Sequence, residues 1–123
     1  MDSTNVEVAD HFPKCISIGG EKYGVGSFLN PGENHIFGYM MYERAIQRGM
    51  NLGSEIGERF WENRKEIPKI FEGSSFSFPG WKEHPSCEEV AHMFHNGEEW
   101  CLIWVPIKNR YWLKNHLGIY KIS

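Results

Sequence analysis

Hydrophobic side chains recur along this chain with two different periods, and the change of period marks out its predicted elements. Cys15-Ile16-Ser17-Ile18 and Tyr23-Gly24-Val25-Gly26-Ser27-Phe28 are β-prone runs. The Gly19-Gly20-Glu21-Lys22 segment between them predicts a hairpin, and Asn30-Pro31-Gly32 ends its second strand. From His35 the period lengthens. Phe37, Met41 and Ala45 fall four apart, with Ile36, Met40 and Arg44 beside them, as on one stripe of a helix. Gly49 and Asn51-Leu52-Gly53 interrupt that stripe. A second helix is predicted from Ile56, Phe60 and Ile67, with Glu58, Glu62 and Lys65 on its other sides and Pro68 as its stop.

The region 72–81 reads as a loop with a short edge strand at Phe76–Phe78. A third helix is predicted over 86–96. Ser86 and Glu89 stand in the spacing of a capping box, and Asn96-Gly97 supplies a stop. Trp100-Cys101-Leu102-Ile103-Trp104-Val105 is the strongest strand signal. It is apolar at odd and even positions alike, so it predicts a strand that wants cover on both flanks. Pro106 ends it. Asn109 to Gly118 suits either a short helix, with Leu113 and Leu117 four apart, or part of a hairpin; Ile119–Ile122 reads as a closing strand.

At 123 residues, with 41% hydrophobic and 24% charged, the chain has the size and balance of a single domain spanning 1–123, with 1–11 frayed. It holds no internal repeat and no linker. Eight Phe, five Tyr and five Trp supply more aromatic surface than a core of this size needs. The net charge of −3 argues against general polyanion binding, although its distribution is uneven. Lys82 stands against Glu83, Glu88, Glu89, Glu98 and Glu99, whereas Lys108, Arg110, Lys114 and Lys121 follow Pro106 with no acid among them. Three cysteines without close spacing, no apolar run of membrane length and no leader pattern predict a reduced, cytoplasmic protein with no membrane contact.

The densest reactive cluster is His84, Cys87, His92, His95 and Cys101. Its spacing suits no closed zinc site, so no metal and no cofactor is expected. On the predicted third helix, Glu88, His92 and His95 share a stripe that faces water or a cleft, opposite Val90, Met93 and Phe94. That stripe, with His84 beside Pro85, is the set on which a small metal-dependent hydrolase would rest. Cys87 leans to the apolar side and reads as a core thiol. The glycines at 19–26 match neither phosphate-binding fingerprint, and neither G-x-S-x-G nor H-E-x-x-H occurs. Lys108, Arg110, Tyr111, Trp112, Lys114, His116, Tyr120 and Lys121 interleave cations with aromatics, a pattern that suits single-stranded nucleic acid. The cations are few in an acidic chain, which argues against that reading.

Taken together, these signals predict an α+β fold: an antiparallel sheet from the N-terminal hairpin and the C-terminal strands, packed against about three helices at 34–71 and 86–96. The favoured function is a non-catalytic interaction or ligand-binding domain that forms a homo-oligomer or meets a protein partner or a small apolar ligand. Trp100, Trp104, Tyr111 and Trp112 are its expected contact residues. The metal-dependent hydrolase and the nucleic-acid binder are the two alternatives.

Overall fold

The computed structural model describes residues 13–84 and 88–122. The frayed segment expected over 1–11 lies outside them, as do Ser86 and Cys87. Two hydrophobic clusters sandwich one six-stranded sheet of order β1-β2-β8-β4-β5-β6. Its strands are β1 (Cys15–Ile18), β2 (Glu21–Ser27), β4 (Ser75–Lys82), β5 (Glu89–His95), β6 (Trp100–Pro106) and β8 (His116–Lys121). A second, two-stranded sheet pairs β3 (His35–Phe37) with β7 (Tyr111–Leu113).

The N-terminal hairpin forms where the sequence predicts it. Gly19 and Gly20 both take positive φ (60° and 82°), which a two-residue turn joining Ile18 to Glu21 requires. Two helices form within the predicted stripes, α1 (Tyr39–Gln47) and α2 (Ser54–Glu62), but α2 ends at Glu62, so Ile67 lies beyond it in extended backbone and Pro68 is not its stop. Beyond α2 the chain continues in short 3-10 turns at Arg64–Glu66 and Lys69–Gly73. Along each strand alternate side chains enter opposite clusters. One cluster gathers Tyr23, Phe76, Phe78, Met93 and Ile119 under Phe60 of α2 and Phe71 of the second 3-10 turn. The other holds Phe28, Val90 and Val105 under Met41 and Ala45 of α1 and under Ile36 and Trp112 of the small sheet.

The expected architecture is corrected on two counts. The chain is mostly β with two α-helices among the described residues, and its large sheet is mixed, because β4 and β8 run parallel. The third expected helix is strand β5, antiparallel to both β4 and β6. The reason is visible at Asn96-Gly97, read from sequence as a helix stop. Asn96 Oδ1 accepts the backbone N–H groups of Glu98 and Glu99 at 2.9 and 3.0 Å, and Gly97 takes φ 102°. That dipeptide therefore turns a hairpin, and pairing with β6 overrides the local helical pattern.

Three smaller expectations shift as well. His35–Phe37 is a strand rather than the start of a helix. The edge strand at Phe76–Phe78 is the middle of an eight-residue interior strand, whose register shifts between Phe78 and Lys82 to accommodate Pro79 and Gly80. The ambiguous tail resolves as strands: β7 leads through a tight turn into β8, yet the two join different sheets. Among the described residues no helix is long and apolar enough to cross a membrane.

Candidate functional site

Strand parity gathers a polar cluster beneath the small sheet. Ser75 and Ser77 alternate with Phe76 and Phe78, so the hydroxyls lie on the flank opposite the aromatic core. His92 pairs across from Ser77 in register, and its Nδ1 lies 2.9 Å from Ser77 Oγ; both side chains are buried. Neighbouring β8 contributes His116, whose ring centroid is 5.5 Å from that of His92. Trp112, on the inner face of β7, closes the group from above at 5.7 Å from His116 and 6.3 Å from His92. Arg110 lays its guanidinium 5.1 Å from the centre of the Trp112 ring.

Electrostatics in this cluster favour neutral imidazoles. Burial, then the neighbouring His116 and Arg110, lowers His92 to about 3. Burial and Arg110 lower His116 to about 4. The tautomer of His116 follows from its turn: the Leu113 N–H donates to His116 Nδ1 at 2.8 Å, so the neutral ring carries its proton on Nε2. Two buried donors in the same group, Trp112 Nε1 and Arg110 Nε, have no acceptor among the described residues. Among the described residues no carboxylate lies within ion-pair distance of Arg110, whose own pKa is lowered by burial alone.

The free edge of β6 is a second feature, of a different kind. The Asn96 N–H donates to the Glu99 carbonyl and the Ile107 N–H to the Glu88 carbonyl, both at 3.1 Å. These two bonds fix the phase of the β5–β6 ladder. Backbone groups of Cys101, Ile103 and Val105 point at β5; those of Trp100, Leu102 and Trp104 point outward. Among the described residues nothing pairs with that outward row. On the flank away from α2, Val105 is buried but Ile103 is 42% exposed.

The outer face of the small sheet presents a third feature. Tyr111 packs edge-on against His35 and Phe37, with ring centroids 5.0 and 4.9 Å away. Leu113, Tyr39 and Met40 are exposed as well.

The expected contact residues therefore separate. Trp100 and Trp112 are core side chains, and Trp104 is half-buried edge-on against Trp81 at 5.6 Å. Tyr111 alone of the four stands in solvent, 57% exposed. The Glu88, His92 and His95 stripe loses its helical basis. On strand β5 His92 and His95 point to opposite flanks, and His95 instead meets Trp100 and Glu72. Among the described residues, no group of three or more His, Cys, Asp or Glu side chains is placed to hold a metal ion. His84 is exposed two residues beyond the end of β4, and Cys87 lies outside the described residues. Cys15 and Cys101 are free thiols. The basic and aromatic tail likewise divides between faces: Trp112 points inward, Tyr111, Lys108 and Lys121 outward.

Sequence reasoning named Arg110, Trp112 and His116 without bringing them together with His92, and it passed over Ser77. The available signal was the Ser-Phe-Ser-Phe alternation of 75–78, which marks a strand with a polar flank. No family model matches this chain, and no curated protein and no solved structure proves similar to it.

Proposed function

We propose that this chain is an interaction domain that pairs with a second copy of itself through the free edge of β6. The outward backbone row of Trp100, Leu102 and Trp104 carries the reading. Edge strands are ordinarily blunted by charges, prolines, bulges or brevity. The other edge, β1, is four residues long. By contrast, β6 runs from Trp100 to Val105 with no charge and no proline, and Pro106 blunts only its end.

The chain is also complementary to itself about this edge. Glu98 and Glu99 precede β6 and Lys108 follows it, all exposed. In an antiparallel pair with Ile103 on the two-fold axis, Leu102 meets Trp104 of the second copy. Glu98 then falls opposite Lys108, so the acidic end of each strand meets the basic end of its mate. The half-open flank at Ile103 is covered by its own symmetry mate in that register. This arrangement continues the sheet across two subunits, a recognised mode of strand addition.

Sedimentation equilibrium combined with amide hydrogen exchange tests the reading. The expected result is a dimer, with Leu102 and Trp104 amides whose protection rises with protein concentration. Ile103→Lys should give a folded monomer, because two like charges then meet on the axis. A wild-type chain that stays monomeric, or a dimer indifferent to Ile103→Lys, overturns the proposal.

A further inference from the structure

The group beneath the small sheet is rich in donors and poor in acceptors. Trp112 is fully buried, and its indole N–H finds no acceptor among the described residues. Arg110 Nε–H, buried nearby, finds none among them either. His116 adds a third donor, since its Nδ1 is occupied by the Leu113 N–H and its proton must sit on Nε2. Buried donors are nearly always satisfied, and each orphan is strongly disfavoured. Here the orphans are neighbours, and no carboxylate of the described residues pairs with the guanidinium.

The species that completes such a group must offer several acceptor lone pairs and negative charge. Water supplies lone pairs but leaves the arginine charge uncompensated in a half-buried place. Arginine offers a planar fork that matches carboxylate and phosphate oxygens, and it holds its charge at any working pH. The aromatic faces of Trp112, His92 and His116, set edge-to-face, wall the group on several sides. Arg110 and His116 are only partly buried, which gives a ligand a way in at their edge.

We infer that Arg110, Trp112 and His116 form a binding site for a small oxyanion, a carboxylate or phosphate group that accepts hydrogen bonds from all three. None of its three donors belongs to β6, although the neighbouring His92 pairs in register with Ile103; the indole signal reads this site and the oligomeric state reads the β6 edge, so the two proposals are tested separately.

The test is an NMR titration of the full chain with inorganic phosphate and, separately, with acetate, followed at the Trp112 indole N–H and the His116 ring. The expected result is a saturable downfield shift of the indole proton with at least one of the two anions, and none with chloride at equal ionic strength. The anion that binds more tightly identifies the ligand head group. Arg110→Gln should weaken binding about tenfold or more, as loss of a charge-assisted contact does. Trp112→Phe removes the indole N–H together with part of the buried ring and keeps an aromatic side chain at that place; it should weaken binding about threefold to tenfold. That variant keeps the test decisive should Arg110→Gln not fold. Indole and imidazole signals that ignore both anions, or that move equally with chloride, overturn the inference. So does binding left unchanged by Trp112→Phe.

Discussion

Gly57 of α2 lies directly against the indole of Trp81 on β4: a Cβ on Gly57 would overlap Trp81 Cε3 and stand 2.9 Å from Cδ2. That close approach seats the helix on the sheet, and Trp81 in turn packs against Phe78 and Trp104. An isolated helix would gain about 1 kcal/mol from alanine at an interior glycine. At this position overpacking wins, at a cost of about 1–3 kcal/mol. Gly57→Ala should therefore destabilise the protein despite its better helix propensity. In a denaturant-unfolding double-mutant cycle, Trp81→Leu should relieve most of that loss. Equal effects of Gly57→Ala in both backgrounds would contradict the contact.

Acid should destabilise this fold before its carboxylates titrate. The unfolded chain binds protons at His92 and His116 near the ordinary 6.5, whereas the folded chain resists until about 3 and about 4. The stability these groups contribute is complete above about pH 6.5 and is lost as pH falls toward 4. Each histidine adds a slope of at most about 1.4 kcal/mol per pH unit within that window. Guanidinium midpoints measured from pH 7.5 to 4.5 should fall steadily on the acid side, and His116→Gln should flatten the decline. Midpoints that stay level across this range would contradict it.

A separate, lower window belongs to Glu33. The Arg44 guanidinium, with help from the Asn30 N–H, holds its carboxyl down to about 2. Stability from this pair is complete above the ordinary carboxylate value and is lost as pH falls from there toward 2. Glu33→Gln should remove that part of the acid sensitivity and leave the histidine part intact, as read by the same midpoints. An unchanged profile below pH 4.5 would argue against the pair.

The Ser77–His92 bond should act as a unit. His92→Leu leaves the buried Ser77 hydroxyl without its imidazole partner, at a cost of about 1–3 kcal/mol. Adding Ser77→Ala should recover part of this loss, because an apolar pair replaces an orphaned hydroxyl. Strict additivity of the two substitutions in thermal or chemical unfolding would show that the hydroxyl and the imidazole are not coupled.

Elements whose signals are local were readable in the chain itself. Gly19-Gly20 determined a tight turn because left-handed backbone suits glycine, and the four-residue spacing of Met41 and Ala45 determined the buried stripe of α1. The apolar run at Trp100–Val105 determined a strand. Tertiary structure decided the rest: the Ser86/Glu89 spacing points locally to a helix, while Asn96-Gly97 suits a helix stop and a hairpin turn alike. Only pairing with β4 and β6 made 89–95 a strand, and that choice sent His92 and His95 to opposite flanks. The histidine cluster joins residues from three distant stretches, and no pattern within one stretch can encode which strands will lie side by side.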